Sequence, residues 1–559
     1  MLLRRLSLLS FLFCWLWTAA LFAQQRPGAN TIITNARVYT VDGNHPTAEA
    51  VAILGEHIVA VGSNAEIDAW RKDKTTVIDG HGHLLLPGFN DAHVHFIPGG
   101  MQLDSINLRE AATPEAFRET LEARVKKTAK GEWITGGDWD EQKWNPAVLP
   151  TKELIDAVSP ETPVFVTRYD GHISLANSYA LKLAGVTAKT KAPAGGEIVR
   201  DKNGNPTGVL KDAAQALVSS KIPPLTHEQR LRAAKRALAH AASLGVTSVQ
   251  DMNPEYADIA VYSELSEKGE LTTRVYAAPM LEGWNDFAKI GVRRAWGSSY
   301  LRFGAMKTYA DGSLGATTAY FFKPYTDAPD TRGLLSDELH PISQERERLT
   351  QADAAHLQIC AHAIGDEAIS TMLDLFTDVV KANGAGERRW RIEHSQHMAE
   401  KDFQRYAELG VIASVQPYHA IDDGRFAEKR IGADRIQRTY AFRTFLDHKV
   451  RLAFGTDWTV APLSPMWTIY AAVTRATLDG KNPDGWVPAQ KLKVNEAVEA
   501  YTMGSAYAEF QENVKGSITP GKLADMVLLS DDIFKIQPGA IKDVQVELTM
   551  VGGKITYKR

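Results

Sequence analysis

Cysteine is nearly missing from this chain: among 559 residues there are 2, Cys14 and Cys360. Cys14 sits in an apolar leader, and once that leader is removed Cys360 has no partner, so no intramolecular disulfide forms even in an oxidising compartment. Packing must supply the stability instead. The small residues that usually precede a lipid-modified cysteine are absent before Cys14, which leaves no basis for a lipoprotein. An excess of one charge is lacking as well: Lys and Arg total 63 against 67 Asp and Glu, a net charge of −4. With no long basic run there is no electrostatic reason to expect nucleic acid, and a small molecule is the default partner. A homodimer is compatible with this balance. No internal repeat or low-complexity tract occurs, and 44% hydrophobic with 23% charged residues gives no sign of bulk disorder.

A long hydrophobic run is present only at the start. Arg4 and Arg5 precede an apolar stretch from Leu6 to Ala23, followed by Gln24, Gln25, Arg26 and Pro27. This pattern predicts an export signal over residues 1–23 and a periplasmic or secreted mature protein. The run is also about the length that just spans a bilayer, so an uncleaved membrane anchor is the alternative.

From Thr31 to Val61 short alternating segments surround the turn Gly55-Glu56-His57, and similar material returns at Ala524 to Leu529, Val544 to Val551 and Lys554 to Tyr557. These are hairpin strands, and the two termini are expected to build one small β domain from residues 28–87 and 508–559. Between them, apolar β-branched runs alternate with amphipathic stretches. Thr247 to Asp251 follows the helical pattern from His227 to Leu244, and Ile359 to His362 precedes Asp366 to Val380. Further strand candidates are Val164 to Thr167, Arg274 to Ala278, Phe303 to Tyr309, Arg391 to His394, Ile412 to Gln416 and Val450 to Thr456. A (β/α)8 barrel over 88–507 is the economical assembly, because its strand ends point many side chains into one mouth. The stretch between His95 and Lys307 exceeds what barrel repeats need and predicts an inserted cap around residues 100–230.

In Gly88-Phe89-Asn90-Asp91-Ala92-His93-Val94-His95 the two histidines stand two apart on a strand, so both imidazoles can face one ion. Alone, the pair serves equally as two ordinary polar strand-end residues. Candidates recur, however, at successive strand ends: Lys307, His362, His394 and Asp457. Singly, each has a bland reading, the histidines as hydrogen-bonded core residues, Asp457 as a turn carboxylate, Lys307 as a solvated cation. Together in this order they are hard to assign to accident.

The array resembles the metal-site signature of the amidohydrolase superfamily, in the branch known as amidohydrolase family 3, or YtcJ-like, which includes N-substituted formamide deformylases. Leu86-Pro87-Gly88-Phe89, Asp170-Gly171-His172, Lys307 to Gly315, His362-Ala363-Ile364-Gly365-Asp366 and the closing Gly516 to Asp525 carry the likeness over most of the mature chain. The resemblance implies an α/β fold, a TIM-like barrel with a composite β-sandwich from both termini, and hydrolysis of a C–N bond of an amide or N-substituted formamide. It implies two divalent ions, zinc by default, with iron, manganese or nickel by exchange. His93, His95 and Asp457 would hold one, His362 and His394 the other, and Lys307, if carbamylated, would bridge them, since an ammonium has no lone pair to donate. Asp457 would move the proton between water and the leaving nitrogen. His172 would donate to the substrate carbonyl or oxyanion, or else satisfy local backbone as a loop histidine; Trp139, Trp144 and Tyr169 would line an aromatic pocket or, as aromatics more often do, fill a core or lid; and His419 would stand at the mouth. Two other readings stay open: a one-metal deaminase or cyclic-amide hydrolase using His93, His95 and Asp457 without Lys307, and an exported binding protein that kept the scaffold and lost catalysis.

Overall fold

Stretches such as Val246–Met252 and Arg274–Ala278 lack the polar alternation of a half-exposed strand because both of their faces are covered. The computed structural model describes residues 28–559 except Asp170, His172, Ala194 and Gly195, so the expected export signal lies outside the described residues. At its centre are eight strands: β1 (Phe89–Val94), β2 (Val246–Met252), β3 (Arg274–Ala278), β4 (Ala305–Tyr309), β5 (Gln358–Ala363), β6 (Arg391–His394), β7 (Ile412–Val415) and β8 (Leu452–Phe454). Nearly every residue in them is buried, as in parallel sheets flanked by helices. Pairing is parallel along β1–β2–β3 and along β4–β5–β6–β7–β8. Parallel bridges Val94↔Trp458 and Met280↔Lys307 join the two arcs. There His95 N–H donates to Trp458 O at 2.6 Å, Asp457 N–H to His93 O at 2.7 Å and Lys307 N–H to Pro279 O at 2.8 Å. This is the TIM-like (β/α)8 arrangement.

The run Phe303 to Tyr309, expected as one strand, is broken at Gly304. Leu301–Phe303 pairs with β3, and Ala305–Tyr309 starts the second arc. Gly304 has φ +103, and a Cβ there would lie 2.0 Å from Arg293 O, so only glycine fits the kink.

Outer helices present apolar stripes to the strands. Asp366–Asn383 buries Ala368, Ile369, Met372, Leu373, Phe376 and Val379 at three- and four-residue spacing, and Asp366 and Glu367 in its first turn suit the positive end of the helix dipole. His227–Ser243 starts at a capping box between Thr226 and Gln229.

Both termini contribute to a six-stranded sheet. Its order is Lys554–Lys558, Val546–Val551, Met526–Leu529, Leu84–Pro87, Arg37–Tyr39, Thr47–Ala48. A four-stranded sheet of residues 31–79 packs on it, sharing Ile33, Val51 and Ile53 with Val38, Leu85, Met526 and Met550 in one core. Arg274 of β3 ties this sandwich to the barrel through two hydrogen bonds to Asp525, at 2.7 and 2.9 Å.

The cap is a third sheet, of six strands between residues 106 and 212, with its own apolar clusters around Leu108, Trp139 and Val166 and around Phe165, Leu181 and Leu210. Val164 to Thr167, a strand candidate alongside those of the barrel, belongs here, paired with Ile134–Trp139 and Ile173–Ala176. Gln102 fastens the cap to the mouth by donating to Asp138 Oδ2 (2.9 Å) and Thr459 O (3.1 Å). Among the described residues no helix is long and apolar enough to cross a membrane.

Candidate metal centre

Alternation along β4, β5 and β6 turns one set of side chains inward: Lys307 and Tyr309, Cys360 and His362, Arg391 and Glu393. Register places Lys307 opposite Cys360, Tyr309 opposite His362, and His362 opposite Glu393. His394 follows Glu393 and should point outward. Its left-handed backbone, φ 72, breaks the alternation, so its ring lies 4.4 Å from that of His362 and 4.9 Å from that of His93. Asp457, beyond β8, is also left-handed, φ 58. Such conformations in non-glycine residues are costly and collect at functional sites.

Around Asp457 the imidazoles converge. Oδ1 is 3.2 Å from His95 Nε2 and 3.5 Å from His93 Nε2, and Oδ2 is 3.9 Å from His419 Nε2. The opposite ring nitrogens are engaged: His93 Nδ1 with Glu393 Oε2 at 2.7 Å, His95 Nδ1 with Met252 O at 3.1 Å, His394 Nδ1 with Gln416 Oε1 at 2.9 Å. Acceptors at Nδ1 put the proton there and leave the Nε2 lone pairs free. Among the described residues, His93 Nε2 and His419 Nε2 are buried without a hydrogen-bond partner. Unpartnered imidazole nitrogens facing a carboxylate suit a divalent cation, with outer acceptors that orient the rings. Two groupings have ligand spacing, His93–His95–Asp457 and His394–His419–Asp457.

Charge in the enclosed space follows from burial. Desolvation pushes His93 down to about 4 and His362 down to about 3, and holds His394 well below its usual value, so these rings are neutral donors at pH 7. Burial also lowers the Lys307 ammonium, which lies over the Tyr309 ring at 4.8 Å. Burial alone would raise Asp457, but the imidazoles of His93, His95 and His394 outweigh it and hold the carboxyl well below its normal range. His95 feels the same pair in reverse: burial lowers it, Asp457 more than compensates, and the net shift is upward.

The structure brings His93, His95, His362, His394, Lys307 and Asp457 to one end of the barrel. His419, expected at the mouth as a substrate contact, has its Nε2 3.9 Å from Asp457 Oδ2. His172 lies outside the described residues. Trp139 is fully buried and donates to Val166 O at 3.0 Å, and Trp144 donates to Ala111 O at 2.8 Å. Both fill the cap core, the second of the two readings the sequence offered, and not a pocket wall. A strand of six residues inside a small sheet needs large side chains on its covered face, and the indole N–H finds a carbonyl there. Tyr169 carries the guanidinium of Arg168 at 4.6 Å and that of Arg109 at 5.3 Å. Sequence reasoning missed Glu393, Arg391 and Asp91. Asp91 accepts from Thr456 N–H (2.9 Å), His93 N–H (3.2 Å) and Tyr501 O–H (2.6 Å), fastening β1 to the segment that carries Asp457. The available signal was charge inside strands otherwise buried on both faces.

Comparison with known proteins agrees with this geometry. The family description that matches the chain is "amidohydrolase family", over residues 76–557. Protein LONG AFTER FAR-RED 3 of Arabidopsis thaliana is 35% identical over 545 residues, spanning 95% of this chain and 92% of that protein. N-substituted formamide deformylase of Arthrobacter pascens is 27% identical over 544 residues, 94% of this chain and 98% of that one. Among solved structures, an uncharacterized metal-dependent hydrolase from Pyrococcus horikoshii OT3 matches with a TM-score of 0.76 at 28% identity, covering 91% of this chain and 99% of the other.

Proposed function

The chain belongs to the amidohydrolase family, and from that premise we propose that it hydrolyses a C–N bond of a small amide or N-substituted formamide by a metal-dependent route. The observation that carries this reading is the convergence of the Nε2 atoms of His93, His95 and His419 on Asp457, with an acceptor facing Nδ1 of His93 and of His95 on the far side. Imidazole and carboxylate donors suit zinc. His93, His95 and Asp457 would hold one ion; His362 and His394 would hold a second, with His419 as a further donor and Lys307, as a carbamate, between them. A divalent ion there supplies Lewis acidity that polarises the carbonyl and brings the pKa of water from 15.7 to about 7.

The residues themselves do the rest. Asp457, ionised at neutral pH, takes the proton from the attacking water and delivers it to the leaving nitrogen. The left-handed backbone at Asp457 and His394 fixes their side chains before substrate arrives. The cap, fastened through Gln102, would restrict entry of bulk water, and Tyr169, flanked by Arg168 and Arg109, would meet the substrate. The N-terminal pattern supports work outside the cytoplasm, checked by fractionation and by the N-terminal sequence of the mature protein.

The test is metal content per chain together with rates on N-substituted formamides, acyl amides and cyclic amides. Two zinc ions and turnover of a linear amide or formamide support the proposal. One ion, with deamination or ring opening as the reaction, favours the alternative, which the tight His93–His95–Asp457 group also suits. A metal-loaded protein inert toward every class overturns the enzyme reading.

A further inference from the structure

Glu393 is a buried carboxylate that touches a ligand imidazole from behind. Its Oε2 lies 2.7 Å from His93 Nδ1, and both side chains are essentially inaccessible, 0% and 1% exposed. A carboxylate in this place offers only acceptors, so the His93 proton is held on Nδ1 and the lone pair on Nε2. That Nε2 has no hydrogen-bond partner among the described residues and faces Asp457. The partners behind the neighbouring rings are different in kind: His95 has a backbone carbonyl and His394 a neutral amide.

Glu393 is itself held. Arg391 Nη2 donates to Glu393 Oε2 at 3.1 Å, and Arg391 Nε is 2.8 Å from Oε1. The same guanidinium donates to Ala92 O of β1 at 2.5 Å, to Ser414 Oγ of β7 at 2.8 Å, and to Gln250 Oε1 of β2. Gln250 in turn donates to Ser505 O at 2.8 Å. One arginine therefore clamps four strands of the barrel interior and presents one carboxylate to one histidine. Ala92, the residue next to His93, is among the clamped groups, so backbone and ring of that ligand are set by the same pair.

We propose that Glu393, held by Arg391, is a positioning residue that fixes the tautomer and ring angle of His93 and thereby sets the metal affinity of the His93–His95–Asp457 site. The inference rests on the metal-centre reading above. A negative partner behind an imidazole also raises its strength as a donor, and losing such a partner typically weakens metal binding about 10- to 100-fold. Glu393 touches neither metal nor substrate; it acts through His93.

The experiment uses the full mature protein stripped of metal. Zinc affinity is measured by competition with a chelator, the cobalt-substituted protein gives a visible spectrum that reports the ligand field, and the Tm of the metal-free protein is recorded in parallel. Glu393→Gln is expected to bind zinc about 10- to 100-fold more weakly and to shift the cobalt bands. Glu393→Asp keeps the charge beside Arg391 but withdraws the carboxylate by about 1.5 Å, and is expected to lose affinity with a smaller change in Tm. It also serves if the glutamine variant does not fold. A purely structural pair would lower Tm and leave the zinc affinity and cobalt spectrum of the folded protein at wild-type values, and that result in the aspartate variant overturns the proposal. Wild-type protein that takes up no zinc overturns the metal-centre reading and this inference with it, whereas normal uptake by wild type and both variants sinks this inference alone.

Discussion

Lys307 and Asp457 share a closed space in which a cation and a carboxylate have opposite effects on an incoming metal. An unmodified ammonium repels the ion, while burial favours the neutral amine that can react with CO2. Lys307→Ala is therefore expected to lower metal per chain and nearly abolish turnover, and a short carboxylic acid added in trans should restore part of both. Two metals and near-normal turnover in that variant would remove the bridging carbamate from the scheme. Asp457→Asn is expected to keep more metal than Lys307→Ala, because one ligand oxygen remains, yet to lose roughly 10² to 10⁴ in rate through loss of the proton carrier. Metal analysis beside single-turnover rates separates the two variants. His93 and His95 were legible from their spacing, since a two-residue period survives in the linear chain. Glu393 was not: it stands next to His394, and strand alternation allows only one of two neighbours to face inward. The left-handed turn at His394 that admits both has no side-chain signature.

At the scale of elements, the kink at Gly304 decides where Lys307 sits. Two residues separate them, and the strand changes partners at the kink. In Gly304→Ala the new methyl would collide with Arg293 O, and the backbone would occupy a region that costs about 1–3 kcal/mol for a side-chain-bearing residue. The expected result is a lower thermal midpoint with reduced metal content, because relief of the clash must move β4. A variant with unchanged midpoint and metal would show that the kink is not required. The order of βα units was visible in the alternation of apolar runs and amphipathic stretches. What could not be read was membership: Val164 to Thr167 has the same local pattern as a barrel strand but pairs with Ile134–Trp139 in the cap. Pairing partners are chosen by distant residues and leave no mark within the strand. The bulk of Trp139 was similarly ambiguous, since a large aromatic serves a small core or a pocket wall equally well.

At the scale of the whole molecule, the sandwich and barrel meet at Arg274 and Asp525. Burial would raise the Asp525 carboxyl, but Arg274 and the Gly552 N–H at 2.8 Å hold it below its usual value. A depressed folded pKa stabilises the native state above the unfolded value of about 3.9, and that contribution fades as pH falls through the folded value. Asp525→Asn leaves a buried guanidinium without its counter-charge, a change that costs about 3–5 kcal/mol. Denaturant midpoints measured against pH should show the largest gap between wild type and variant at neutral pH and a closing gap in acid; a gap independent of pH would mean that the pair is not the cause.

The sheet that joins the two ends of the chain also fixes an order of events during synthesis. Leu84–Pro87 is an apolar strand whose far edge is covered by Met526–Leu529, so a growing polypeptide carries an open, adhesive edge until that distant strand has been made. Such edges recruit other chains. A message cut short after the codon for Asp525 would encode every residue of the metal centre and still yield a protein prone to clump, which makes the segment beyond Asp525 a checkpoint for solubility rather than for chemistry.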